Sequence, residues 1–303
     1  MTGHPAACPV CKRPETGLHH SSGSMIICRC PDCSMMFQPP ESPALKDADL
    51  ITRLYEEFLS DPAAHVSLNE DRLERLRGLL GRPLKGLRVL EIGSGSGALG
   101  DLLLKEGALY AGLEPTAACH AILIRRYPAL KGLVRQAYFD QAGFPKNSFD
   151  LIVMNDALEH IPGPVEFLSG LKPYLAAGGR LHIEAPSEAF IGLKAVLRGL
   201  FGLYGGCPTN PEHISLFTAR SLRLAIAAAG LAAGPLFQVT VWGDPAKLRI
   251  ALRGRFGWLA GPASLFFRLT RLDLLLQQGL LVAQAYRISG AGAVAGGRRA
   301  IRE

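Results

Sequence analysis

The sequence predicts an α/β protein with a doubly wound, mostly parallel sheet and a small metal-binding module at its amino end. Three observations lead there. Apolar strands alternate with helical segments from residue 89 onward, the pattern of a parallel sheet with helices on both faces. The first of these strands, Val89-Leu90-Glu91-Ile92, runs into the turn Gly93-Ser94-Gly95-Ser96-Gly97 and then into a helix from Ala98 to Lys105. Two Cys-x-x-Cys pairs stand near the amino terminus, among seven cysteines in 303 residues.

The pairs are Cys8-Pro9-Val10-Cys11 and Cys30-Pro31-Asp32-Cys33, with 18 residues between them. That is the spacing of a structural Zn2+ site held by Cys8, Cys11, Cys30 and Cys33. Two thiols on each of two turns can close a tetrahedron without a large core. Cys28 competes with Cys30 for one position, although only Cys30 forms the two-residue knuckle with Cys33. Cys119 and Cys207 read as packing or loop thiols. The module spans residues 1–40 and ends on Phe37-Gln38-Pro39-Pro40. Residues 41–65 read as a linker with one short amphipathic helix around residues 50–59. A longer helix to Leu80 places Leu68, Leu73, Leu76 and Leu80 near one face, fit to cover the sheet.

The glycine turn has a physical role. A tight strand-to-helix turn needs positive φ, and a ligand lying against bare backbone tolerates no Cβ. A second strand, Leu109-Tyr110-Ala111-Gly112-Leu113, ends in Glu114, about twenty residues on, where an acid can take both hydroxyls of a ribose. A third, Phe149-Asp150-Leu151-Ile152-Val153-Met154, leads to Asn155-Asp156-Ala157-Leu158-Glu159-His160. Gly95, Gly97 and Gly100 also satisfy the dinucleotide spacing of a dehydrogenase, so the turn alone does not choose the cofactor. Further along, Leu181 to Ala185 reads as a strand. Thr218 is read as the N-cap of a helix over residues 219–229, with Gly230 at its carboxyl end.

Three neighbours of the turn do choose. Glu91 lies two residues before the first glycine. Asn147-Ser148-Phe149-Asp150 leads into the strand that ends at Asn155. Leu175-Ala176-Ala177-Gly178-Gly179-Arg180-Leu181-His182-Ile183 looks like an "L-x-P-G-G" turn, with Ala177 at the usual proline. Over residues 66–235 this order resembles the class I S-adenosylmethionine (SAM)-dependent methyltransferases. The resemblance implies a seven-stranded Rossmann-like sheet and SAM as cofactor. By the same resemblance, Glu91 faces the amino end of SAM, and Gly93, Ser94, Gly95 and Gly97 follow its length. Glu114 would take the ribose, and Tyr138 and Phe139 the adenine. Asn155 and Asp156 would face the reaction centre.

His160 and His213 are the candidate bases, because an imidazole can take a proton from a hydroxyl or enol as the methyl arrives. Each also has a structural reading, His160 as a residue closing the strand and His213 as one preceding a capped helix. With its ribbon and the segment Pro211-Glu212-His213-Ile214-Ser215-Leu216-Phe217-Thr218, the chain is similar to methyltransferases of glycan, deoxysugar or secondary-metabolite pathways. The resemblance implies methyl transfer, O- or C-directed, to a small-molecule, glycan or lipid-linked acceptor. A zinc-finger RNA methyltransferase and a non-catalytic scaffold of the same fold are the alternatives.

Charge weighs against nucleic acid. The net +7 of the chain arises after residue 243, where ten Lys and Arg face three acids, so the first 243 residues are balanced. No Asn/Asp-Pro-Pro-Tyr/Phe motif is present; Asn155-Asp156-Ala157-Leu158 stands in its place. No charged and apolar leader opens the sequence, and the expected location is cytoplasmic. Residues 190–211 read either as a lid over the cleft or as a helix on the sheet edge. Residues 236–303 read as an extension with a disordered end from 289. Its apolar blocks from 256 to 286, flanked by arginines, form either a basic amphipathic helix at the inner membrane surface or a packing seam.

Overall fold

The computed structural model describes residues 3–4, 6–22, 24–46, 62–189, 191, 209–239, 258–270 and 280–288. Four short strands open the chain: β1 (Gly3–His4), β2 (Thr16–Ser21), β3 (Ile26–Arg29) and β4 (Met36–Phe37). Then follow α1 (Pro62–Leu80), β5 (Arg88–Ile92), α2 (Ala98–Lys105), β6 (Leu109–Leu113), α3 (Ala117–Arg126) and β7 (Val134–Arg135). The second half contains β8 (Phe149–Asn155), α4 (Pro164–Leu171), β9 (Leu175–Pro186), β10 (Ser215–Leu216), α5 (Ala219–Ala228), β11 (Leu231–Val239), α6 (Ala260–Thr270) and β12 (Leu280–Arg287).

Seven strands form one sheet in the order β11-β12-β9-β8-β5-β6-β7. The pairs β5–β6, β6–β7, β5–β8 and β8–β9 are parallel, and β12 runs antiparallel to both β9 and β11. The central strands are apolar on both faces because helices cover both. Leu90, Ile92, Ile152 and Met154 pack with the leucines of α4 and α5. Val89, Leu151 and Val153 point the other way, onto Leu73, Leu76 and Leu80 of α1 and Leu99 and Leu103 of α2. The mostly parallel sheet is what the alternation predicts, and its seven strands are what the resemblance implies.

Local signals act as expected. Thr218 Oγ1 accepts the amide of Ser221 at 3.2 Å, and Gly230 follows the helix at φ 71°. The segment from Leu175 is strand throughout, with Gly178 at φ 71° where the register with β8 shifts.

The tail departs from its reading as one amphipathic helix. Ala260–Thr270 is helical, but Leu280–Arg287 is a strand inserted between β9 and β11. Leu281, Val282, Ala283 and Ala285 are almost fully buried there. Within this strand the side chains face the core of the sheet, as the packing-seam alternative expects. The reason is pairing: β9 and β11 each need a neighbour for their backbone groups, and β12 supplies it to both. Among the described residues, no helix is long and apolar enough to cross a membrane. The helix expected at 50–59, nearly all of the segment 190–211, Cys207 and the end from 289 lie outside the described residues.

The amino-terminal strands do not form a separate bead. Their sheet is completed by β10 of the large domain, in the order β1-β2-β3-β4-β10, with Ser215 beside Phe37 and Leu216 beside Met36. Cys8, Cys30, Cys33, Met35 and Phe37 pack in the same buried cluster as Ile152 and Phe217.

Burial of β12 sets a stability test. Val282→Asp places an unpaired carboxylate at a site with 0% exposure and should cost at least about 3 kcal/mol. Leu269→Asp, on the outer face of α6 at 75% exposure, should change stability by less than about 0.5 kcal/mol. Chemical denaturation of both variants checks the contrast, and equal losses would contradict the strand assignment.

Candidate active site

The parallel strands end at one edge, beside the point between β5 and β8 where chain order reverses, the usual ligand crevice of open α/β sheets. Register brings the candidates together. Ile92 lies beside Met154, and Asn155 beside Glu184, so the glycine turn and the Asn155-Asp156 corner emerge side by side.

In the turn, Gly93, Gly95 and Gly97 have φ of 80°, 49° and 82°, all in the left-handed region. A Cβ at Gly97 would lie 3.0 Å from Leu123 Cβ and 3.1 Å from both Leu130 and Tyr127, so bulk is barred as well as conformation. The amides of Gly93 and Ser94 donate to the Leu113 carbonyl, both at 2.9 Å. Glu114 accepts from the Gly95 amide at 2.8 Å and the Thr116 amide at 2.9 Å, tying the turn to the end of β6.

Glu91 is buried beneath the turn. Its Oε2 accepts from Tyr110 Oη at 2.5 Å, and Tyr110 Oη lies 3.1 Å from Ser94 Oγ. Burial pushes the Glu91 carboxyl up to about 7, while the Tyr110 hydroxyl and the charge of Arg72 draw it down. The group is an acid that becomes an anion most readily when a cation arrives. Asn155 is buried, and neither its amide nitrogen nor its oxygen has a hydrogen-bond partner among the described residues. Buried polar side chains without a partner, as at Asn155, are uncommon in folded proteins.

At the end of β8, Asp156 has φ 48° and forms an ion pair with the fully buried Arg72 of α1. Arg72 also pairs with Glu184 at 3.1 Å, Arg75 pairs with Glu184 at 2.8 Å, and His182 Nε2 lies 3.4 Å from it. Burial alone would raise Glu184, but His182 and the two arginines hold it well below the usual carboxylate range. The arginines escape a reading of motifs because they lie on a helix outside them. A signal did exist: Asn69 and Arg72 interrupt the apolar stripe of α1 and are buried with it.

The histidines meet. The rings of His160 and His213 lie edge to face with centroids 5.2 Å apart. His160 Nδ1 is 3.2 Å from the Glu212 carbonyl, and burial, then His213, pushes the His160 imidazole down to about 3. His213 lies between two acids, its Nε2 3.9 Å from Glu159 and its Nδ1 3.9 Å from Glu188. Burial and the nearby Asp156 raise Glu159 well above the ordinary carboxylate value. One ligand atom each from Glu159, His160 and His213 falls within 4.8 Å of the others.

Of the expected adenine neighbours, Tyr138 is 64% exposed, while the Phe139 ring packs edge-on against Tyr174 at 4.9 Å and Phe167 at 6.1 Å.

Cys8, Cys11, Cys30 and Cys33 also converge, with sulfurs of Cys8 and Cys33 at 3.4 Å, those of Cys11 and Cys30 at 3.4 Å, and all four within 4.8 Å. The two knuckles repeat one geometry. Lys12 and Ser34 each follow the second cysteine at φ 62° and 61°, and their amides return to the Cys8 and Cys30 carbonyls at 3.1 and 3.0 Å. Cys28 is buried on β3 and is not one of the four cysteines whose sulfurs converge. Tetrahedral Zn–S bonds of about 2.3 Å place sulfurs about 3.8 Å apart, close to what the four thiols offer. Burial pushes the Cys8 thiol up to about 11 and Cys33 further, a cost that a divalent cation removes by stabilising thiolates.

A family model described as "Methyltransferase domain" matches residues 58–233. The ubiquinone biosynthesis O-methyltransferase of Xylella fastidiosa is 30% identical over 144 residues, covering 44% of this chain and 57% of that protein. That of Sodalis glossinidius is 28% identical over 138 residues, covering 42% and 53%. The chain thus spans about half the length of the curated relatives it matches. Among solved structures, a geranyl diphosphate C-methyltransferase from Streptomyces coelicolor is similar in fold. It has a TM-score of 0.51 and 16% identity, over 76% of this chain and 87% of that one. With more than half of its length matched and the sheet order in place, the chain belongs to the methyltransferase-domain family and carries a class I SAM-dependent methyltransferase domain.

Proposed function

We propose that the protein transfers the methyl group of SAM to an ionisable hydroxyl of a small molecule, with His213 as the base. The observation that carries this reading is the placement of His213 between Glu159 and Glu188, on the strand-end edge that also holds Glu91 and Asn155. The residues present fit SAM. Glu91 is a buried acid short of a cation, the glycine turn exposes left-handed backbone, Glu114 stands beside it, and Asn155 has unmet polar groups. Tyr138 and Phe139 would flank the adenine, while Ser94 secures the Tyr110–Glu91 bond beneath.

SAM supplies an already activated sulfonium methyl, which leaves the protein to orient the acceptor and remove its proton. His213 suits that task better than His160, which burial keeps neutral and whose Nδ1 is engaged by Glu212. Glu159 and Glu188 lie 3.9 Å from the two ring nitrogens of His213, where they can orient the imidazole towards an acceptor proton. Asp156 is committed to Arg72 and shapes the corner instead of acting on the proton. O-methylation is the activity in the names of the curated relatives, which supports a hydroxyl acceptor; enol carbon, glycan and lipid-linked acceptors follow from the same chemistry. The balanced charge of residues 1–243 argues against an RNA acceptor. A scaffold would not need a buried acid beneath a bare glycine turn. In the ribbon, Cys8, Cys11, Cys30 and Cys33 would hold a structural Zn2+.

Three outcomes follow. SAM affinity should rise with pH, because the SAM ammonium needs the Glu91 anion. The rise should be about tenfold per unit below pH 7 and level off above it. In the free protein the raised carboxyl favours folding less as pH climbs from 4.5 through about 7, so SAM should raise the melting temperature more at pH 8 than at pH 6. Calorimetric titration from pH 5.5 to 8.5 reads the first effect, and Glu91→Gln should flatten it; an unchanged slope would separate Glu91 from the cofactor.

For the base, label from methyl-labelled SAM should pass to a catechol probe about 10²–10⁴-fold more slowly in His213→Gln, with SAM affinity kept. A rate within threefold (about the noise of such an assay) would sink the assignment. For the metal, elemental analysis should find about one Zn2+ per chain in the wild type and in Cys28→Ala. Cys30→Ala should lose it, and metal retained in Cys30→Ala would refute the four-ligand set.

A further inference from the structure

The segment that carries His213 is stitched to the zinc ribbon by one side chain. Gln38 follows β4, is 2% exposed, and donates both hydrogens of its amide nitrogen across the junction. Its Nε2 lies 2.9 Å from the Pro211 carbonyl and 2.8 Å from the carbonyl of His213 itself. The Gln38 backbone amide donates to the Ile214 carbonyl at 2.9 Å. Its Oε1 is fixed in turn, accepting from Ser42 Oγ at 2.6 Å, while Ser42 Oγ accepts from the Ile26 amide on β3 at 3.0 Å. A glutamine so held has one orientation: its oxygen is used by Ser42, so its nitrogen must face the two carbonyls.

On the opposite side, the same segment is bound to the site. The Ile214 amide donates to the Glu159 carbonyl at 2.8 Å, and Ser215 Oγ donates to the Ile161 carbonyl at 2.7 Å. The backbone around His213 is thus clamped between the ribbon and the Glu159-His160 corner. The knuckles reach the same region, since Arg220 Nη2 donates to the Asp32 carbonyl at 2.9 Å from the first turn of α5. Without the ribbon, the carbonyls of Pro211 and His213 would lose a buried donor that helps fix where the imidazole stands between Glu159 and Glu188.

We propose that Gln38 is a positioning residue for His213, through which the ribbon sets the place of the imidazole in the active site. The proposal rests on the reading of His213 as a site residue, but its test does not use methyl transfer. The ribbon then acts as part of the acceptor side of the site, and loss of its metal loosens a residue that it does not itself contain.

Modification by diethyl pyrocarbonate, followed histidine by histidine with mass spectrometry on the full chain, reads the position directly. In the wild type with its metal, His213 should react slowly relative to His120, which lies on α3 away from the ribbon. Gln38→Glu keeps the size but offers at most one hydrogen, and that only when protonated, so at least one of the two carbonyls loses its donor. It should speed the His213 reaction about tenfold while SAM affinity, metal content and the His120 rate stay unchanged. Wild-type protein stripped of metal by a chelator should show the same selective gain. Unchanged protection of His213 in a folded, SAM-binding Gln38→Glu protein would overturn the role of Gln38, and protection that survives metal removal would overturn the role of the ribbon. If Gln38→Glu fails to bind SAM, Ser42→Ala, which frees the glutamine oxygen and the Ile26 amide but leaves both Gln38 donors in place, decides: a smaller selective gain at His213 supports the clamp, and none refutes it. Failure of His213 as the base would leave these results intact and would show in the catechol assay alone.

Discussion

Arg72 enters the carboxyl edge of the sheet from α1, and the charge balance of that edge depends on its guanidinium. A fully buried cation is tenable only among carboxylates, and buried carboxylates are tenable only beside a cation. Here the requirement is mutual. Asp156 and Glu184 bond to Arg72 directly, and its charge also reaches Glu91 and Glu159. The acids therefore divide. Glu184, held by two arginines and a histidine, stays ionised and anchors α1 to β9. Glu91 and Glu159 receive only the outer part of that field, and burial raises both. One helix thus supplies the buried cation that pairs with two acids directly and reaches two more that burial makes easier to protonate.

The same edge explains the backbone at Asp156. A non-glycine residue at φ 48° is uncommon and persists where its surroundings over-determine it. Its amide donates to the Glu184 carbonyl at 2.9 Å and its side chain is fixed by Arg72, so both ends of the residue are held. The corner in turn brings Ala157 under the glycine turn, where a Cβ on Gly93 would lie 3.2 Å from that of Ala157. Two turns from strands far apart in sequence close on each other so tightly that one more carbon would push Ala157 aside by a few tenths of an ångström.

The ribbon joins this arrangement as a structural wall. Its last strand pairs with β10, its cysteines share the buried cluster of the large domain, and its charged rim reaches α4 through Lys12 and Glu166 at 2.5 Å. That last pair is exposed and adds little. The strand pairing and the common core hold the modules together, which makes the cysteine knuckles part of the enzyme's architecture and not a tethered accessory.

Much of this was legible from residues in order. The glycine turn, the acids Glu91 and Glu114, the apolar strands and the cysteine spacing are local patterns, since each depends on neighbours within a few positions or on one fixed interval. They determined the sheet class and the four-cysteine cluster. Other features were decided only by the tertiary structure. Leu280–Arg287 reads as an apolar helix face when taken alone, and only the unpaired edges of β9 and β11 make it a strand. Arg72 is one arginine among many on a helix until the fold buries it against acids 84 and 112 residues away. His160 and His213 were equal candidates along the chain. Their difference arises in space, where one ring is buried against a carbonyl and the other stands between two carboxylates. Sequence specifies strand, turn and spacing because those are short-range; which buried charges meet is set by packing, because partners come from distant segments that only the folded sheet brings together.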